Sequence, residues 1–210
     1  MAFPTTNSAQ ELPAVNQILQ SCGQAPVTTL DQTNPDVAIA YQTLLEVSRE
    51  VQAEGWSFNK EYHYEMSPET NPASSNYNKI AIPNNVLQID LTDNAANMDK
   101  DVIRRNGKLY DKANHTYTFT EKVECDITWL FDWVDLPVPI ADFITARAAT
   151  VVSSRIVGDG NQYQILQQKE AFNRAMAMEY ECNQGDYTFF GHSGNTNRYT
   201  SYKPYNALYR

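Results

Sequence analysis

At Gly55 the spacing of apolar residues changes from 3.6 to 2, and after Leu136-Pro137 it changes back. A helical pattern does not satisfy a strand, nor a strand pattern a helix, so the two switches divide the chain into helical, sheet and helical runs. The residues before the first switch show how sharply it is drawn. Asn34 is suited to cap a helix, because its side-chain oxygen can accept from an orphan first-turn amide. Pro35 falls at the first helical position, and Asp36 places negative charge at the positive end of the helix dipole. Val37, Ala40, Leu44, Val47 and Val51 then recur at spacings of three and four, widened by Tyr41, Leu45 and Ser48 into a core-facing stripe. Gly55 ends this helix by supplying a left-handed residue without a Cβ.

Upstream, Ser8 and Glu11 have capping-box spacing, but Pro13 follows closely, so the first helix is expected from about Gln10. Its apolar face is Leu12, Val15, Ile18, Leu19 and Cys22, stopped by Gly23 and Pro26. Downstream of Gly55, Trp56, Phe58, Tyr62, Tyr64 and Met66 alternate with polar residues and predict a half-buried strand. Ser67 to Asn76 is rich in Pro, Ser and Asn and predicts a mobile loop. Ile80 and Ile82, then Leu87, Ile89 and Leu91, predict two strands around Pro83-Asn84-Asn85. Asn106-Gly107 predicts a two-residue type I′ hairpin. Tyr117 to Trp129 alternates again, with a break near Glu121. The third helix presents Ile140, Phe143, Ile144, Ala148, Val151 and Val152. The fourth is marked by Leu166, Phe172, Met176 and Tyr180 and ends near Gly185, with Glu170 and Arg174 spaced as an ion pair.

The expected fold is α+β. Residues 1–55 and 137–185 form a discontinuous four-helix bundle, residues 56–136 an inserted antiparallel β domain, and residues 186–210 an extended Tyr-rich C-terminal arm. The net charge of −9 is divided unevenly, with +2 in the arm and −11 in the rest. A basic arm holding Tyr187, Phe189, Phe190, Arg198, Tyr199, Tyr202, Lys203, Tyr205, Tyr209 and Arg210 suits a segment that orders on an acidic surface. The alternative is an unattached terminus. Glu46, Glu50 and Glu54 form a row of like charges on the second helix. It reads either as a solvated face or as a docking stripe for basic groups of another subunit.

Little in the chain points to chemistry. An acidic protein is a poor sequence reader of nucleic acid, although an acidic wall lets DNA slide past. The odd, scattered Cys22, Cys125 and Cys182 imply reduced thiols, not a disulfide frame or zinc site. His63, His115 and His192 lack metal-ligand spacing, so no metal or cofactor is expected. No run is long enough for a membrane span, and the amino terminus lacks a secretory pattern. No nucleophile, phosphate-loop or metalloprotease motif is present, and Gly158-Asp159-Gly160 reads as a helix–helix turn. The best case for an enzyme is Asp132 and Asp135 beside Trp129 and Trp133, an arrangement compatible with glycan hydrolysis. A free carbohydrate-binding module built on the aromatic sheet face is a third reading.

The stretches ELPAVNQILQSCGQAPVTTL and NPDVAIAYQTLLEVSREVQAEGWSFN, then RRNGKLYD, DWVDLP, FITARAATVVSSRIVGD and AMEYECNQGDY, resemble the tail tubular protein A family. These are head-to-tail adaptors of short-tailed phages of the Autographiviridae type. The likeness leaves out the Ser67–Asn76 loop and the last twenty or so residues. It implies a non-enzymatic connector in the virion tail, assembled in the host cytoplasm. It further implies a twelve-fold homo-oligomeric ring under the portal protein, with the tubular nozzle protein below and fibre protein near that junction. DNA would pass through the lumen without sequence-specific binding. The family carries no catalytic residues to transfer.

Overall fold

A computed structural model describes residues 8–31, 33–92, 97 and 99–185, with the side chains of residues 8–10 outside that description. The chain is α+β, in the order α1 (Ser8–Ser21), α2 (Pro35–Gln52), β1 (Lys60–Met66), β2 (Val86–Leu91), β3 (Val102–Arg105), β4 (Lys108–Asp111), β5 (Val123–Trp129), α3 (Val138–Ile156) and α4 (Gly160–Gly185). Local signals place most of these. Asn34 caps α2, its Oδ1 accepting from the Asp36 amide at 3.0 Å. The α2 stripe is buried as its spacing predicts, at Val37, Ala40, Leu44, Val47 and Val51. The α1 start is Ser8, two residues before the expected Gln10, and Pro13 lies inside the helix. A difference of that size is within the ordinary fraying of helix ends.

The helix that touches the three others is α3. Ile140, Phe143, Ile144, Ala148 and Val152 are wholly buried, and Thr145, Ala146, Ala149, Thr150 and Ser153 are buried as well, so α3 is enclosed on nearly every side. Its threonine hydroxyls are satisfied within the helix: Thr145 donates to the Ala141 carbonyl at 2.8 Å and Thr150 to Ala146 at 3.0 Å.

The burial of α4 departs from its sequence pattern. Ala177 is buried and Leu166 and Tyr180 are half-buried, but Phe172 is 65% exposed and Met176 45%. At 100° per residue, Leu166-Asn173-Ala177-Tyr180 and Ile165-Phe172-Met176 are two stripes about 100° apart. Polar contacts choose between them. Asn173 donates to the Asp142 carbonyl at 3.2 Å, and Arg174 turns from Glu170 to Glu54 at 3.3 Å while lying 5.6 Å over the Phe143 ring.

The sheet run contains a three-stranded antiparallel sheet, β1-β5-β2, and the hairpin β3-β4. Asn106 and Gly107 both have positive φ (53° and 69°), as a type I′ turn requires. The predicted strand from Trp56 begins only at Lys60 and carries a bulge between Glu61 and Tyr64. His63 sits there at φ 55°, its amide donating to Asp126 and its Nδ1 3.1 Å from Glu124. The bulge breaks the alternation, which leaves Tyr62 and Tyr64 each 41% exposed instead of buried. Ile80 and Ile82 are buried without forming a strand, and are held by backbone bonds to Leu109 and Gly107. The loop expected to be mobile is closed by a bridge between Glu69 and Tyr77. The break near Glu121 appears as predicted, but residues 117–120 form no strand before it and β5 starts at Val123.

Buried apolar residues gather in two clusters. One joins α1, α2, α3 and Ala177 and takes in Trp56 and Leu136. The other joins Met66, Ile80, Ile82, Val86, Val102, Leu109, Phe119, Val123, Cys125 and Ile127.

Candidate assembly surfaces

The two clusters meet where the chain leaves α2 and where it returns from β5, and buried amides hold both crossings. Asn59 is wholly buried. Its Oδ1 accepts from the Trp56 amide, and its Nδ2 donates to the carbonyls of Gln52 and Trp129, each bond at 2.8 Å. Gln52, equally buried, accepts from the Phe131 amide at 2.8 Å and donates to the Phe131 carbonyl at 3.2 Å. The Trp56 indole donates to the Val51 carbonyl at 2.7 Å. Gly55, at φ 78°, lets this turn pass beside Thr128 of β5. From α4, Glu181 accepts from the Ser57 amide at 2.9 and 3.0 Å and from its hydroxyl at 2.8 Å. The orientation of the sheet on the helices therefore rests on directional bonds, which are costly to leave unmade. Sequence periodicity carries no sign of Gln52, Asn59 or Glu181 in this role, because each bonds to a distant backbone.

The glutamate row, with Glu46 and Glu50 on α2 and Glu54 just past its end, faces arginines of its own chain. Arg147 lies 2.7 Å from Glu50 and 3.9 Å from Glu54, Arg155 lies 3.6 Å from Glu46, and Arg174 lies 3.3 Å from Glu54. The signal was available: Arg147 and Arg155 are eight apart, as are Glu46 and Glu54. The like-charge repulsion within α2 is offset internally, while Glu46 and Glu50 keep more than half of their side chains in solvent. The other expected contact residues, Tyr187, Phe189, Phe190, Arg198, Tyr199, Tyr202, Lys203, Tyr205, Tyr209 and Arg210, lie outside the described residues.

The two candidate catalytic carboxylates differ in their surroundings. Asp135 is exposed on a 3-10 turn, Trp133–Asp135, while Asp132 is half-buried at its start. The charge of Asp132 contributes to raising the Glu11 pKa on α1. A polar recess of about 250 Å³ lies in the sheet region, lined by residues including Asn97, Lys100, Asp111, Thr118 and Lys122, and by neither of these aspartates. Burial would raise the Asp111 pKa, but bonds from the Asn114 side chain and the amides of Asp101, Asn114 and Ala113 outweigh it and hold the carboxylate low. No cluster of metal-ligating side chains and no membrane-length apolar helix occurs among the described residues.

Burial raises the Glu11 pKa, a hydrogen bond from Tyr41 opposes the rise, and the charge of Asp132 adds to it. The folded state thus binds the Glu11 proton more tightly than the unfolded chain, so stability falls as pH rises through that window. Glu11→Gln, which keeps an acceptor for Tyr41, is expected to stabilise the protein at neutral pH. The advantage should vanish below about pH 4, where carboxyls are protonated in both states. Urea melts at the two pH values check this. The thiols give a second expectation. Cys125 is buried, with its pKa pushed up to about 12, first by burial and then by Asp126 and Asp90. Cys182 is exposed, and Cys22 is half-buried with its pKa raised by burial. A thiol-reactive dye should label Cys182 first, Cys22 more slowly, and Cys125 only on unfolding.

The comparisons with known proteins point to one family. Tail tubular protein A of Klebsiella phage KP34 is 26% identical over 179 residues, covering 83% of this chain and 89% of that protein. The family described as tail tubular protein matches residues 12–187, from α1 through the sheet to the end of α4. On that match, which takes in both helical runs and the junction between them, the chain belongs to the tail tubular protein family.

Proposed function

We propose that this chain is a structural head-to-tail adaptor of a short-tailed phage of the Autographiviridae type. In this reading, copies assemble into a twelve-fold ring between the portal protein and the tubular nozzle protein. Fibre protein attaches near the nozzle, and DNA passes through the lumen during ejection. Family membership across residues 12–187 carries the proposal. The fold suits the role. The helices around α3 make a rigid wall, the sheet is an inserted unit joined at the Gln52/Asn59 crossings, and the −11 outside the arm lets DNA slide without sticking. No step of this role requires catalysis. A ring needs heterologous surfaces that close by rotation, and the C-terminal arm is the segment proposed to reach across to a neighbour.

Electron microscopy of particles made without this chain tests the proposal. Loss of packaged DNA and of the complete tail is expected; particles that keep both would overturn it. Imaging the purified protein with and without portal gives the ring number and the face that docks.

A further inference from the structure

We propose that the exposed apolar stripe of α4 is the receptor for residues 186–210 of a neighbouring copy. The proposal deepens the ring reading and rests on it. Ile165 is 67% exposed, and with Phe172 and Met176 it forms a line at spacings of seven and four. Single exposed apolar side chains are ordinary, but three in line along one helix face mark a contact surface. The stripe cannot roll inward, because Asn173, Arg174 and Glu181 tie α4 to Asp142, Glu54 and Ser57. Lys169, one turn after Ile165, places a cation among the apolar groups. Cation, thioether and ring together make a surface suited to aromatic side chains.

The occupant follows from symmetry, composition and reach. Stripe against identical stripe is an isologous contact that stops at two copies, so a ring needs a different partner for it. The arm is such a partner. It holds seven rings and a charge of +2 against −11 in the rest of the chain. It starts directly after Gly185, which is buried at the end of α4. Ile165 to Met176 spans about 16 Å of helix. An extended segment of this length covers up to about 80 Å, enough to cross to a neighbour and lie along the stripe.

Two complementary defective chains test this. The first is the full chain with Phe172→Asp, which keeps the arm and spoils the receptor. The second ends after Gly185 and keeps the receptor without the arm; among the described residues both buried clusters lie within residues 14–177, and this chain keeps all of them. Sedimentation velocity should show each alone as a monomer and the mixture as a 1:1 complex. Ile165→Asp in the second chain should weaken that complex at least about tenfold, as loss of a central apolar contact does. Absence of a complex on mixing, as when each arm folds onto its own α4, overturns the proposal. Association of the armless chain with itself, or indifference to Ile165→Asp, does so too. Normal rings formed with portal by the Phe172→Asp chain refute the receptor and leave the ring reading standing. A 1:1 complex from a protein whose native form never closes a ring supports the receptor and refutes the ring.

Discussion

Asn59→Ala is expected to lower the melting temperature by about 10 °C. The substitution removes three bonds at once and leaves the buried Trp56 amide and the part-buried Trp129 carbonyl without their Asn59 partner, while the Gln52 carbonyl keeps a bond from the Gly55 amide at 3.2 Å. Each stranded group costs about 1–3 kcal/mol, though backbone relaxation recovers part, so a total of about 3–4 kcal/mol follows. For a chain of this size each kcal/mol is worth about 2–4 °C. Gln52→Ala should cost nearly as much by releasing both polar groups of Phe131. Because Asn59 bonds to the Gln52 carbonyl, the two changes should couple, and a double-mutant cycle reads that coupling. A shift of one or two degrees for Asn59→Ala would mean that the crossings are held by packing instead.

Phe143→Ala should cost about 4 kcal/mol, the usual result of emptying a wholly buried aromatic site. The location of the loss tells more than its size. Phe143 belongs to the helical cluster, and Leu109 to the separate cluster of the sheet run. If the inserted unit keeps its own core, Phe143→Ala speeds amide exchange in α1, α2 and α3 while β3 and β4 stay protected, and Leu109→Ala does the reverse. Equal loss throughout from either variant would show one cooperative unit, and the proposed division of the chain would be withdrawn.

Several features were legible because they are local. The Asn34 cap, the α2 stripe, the Asn106-Gly107 turn and the break near Glu121 each follow from residues within a few positions of one another. Resemblance of the ordered motifs to the tail tubular protein A family was legible for the same reason, since each motif is contiguous. What failed was the assignment of faces on β1 and α4. Alternation put Tyr62 and Tyr64 inside, but the bulge at His63 is held by Asp126 and Glu124, more than sixty positions away. Periodicity favoured Phe172 and Met176 on α4, while contacts to α3, Glu54 and the Ser57 turn selected the neighbouring stripe.

The candidate surfaces divide in the same way. The charge of the arm and its rings can be counted along the chain, as can the glutamate row of α2. That Arg147, Arg155 and Arg174 answer that row, that the charge of Asp132 acts on Glu11, and that α3 and not α2 is the enclosed helix all depend on packing. Amino-acid order settles which elements form and in what succession, because a turn of helix or a tight hairpin involves only near neighbours. How each element is rotated, and which of its faces stays open for another molecule, is set by bonds between distant residues, and those exist only once the chain has packed.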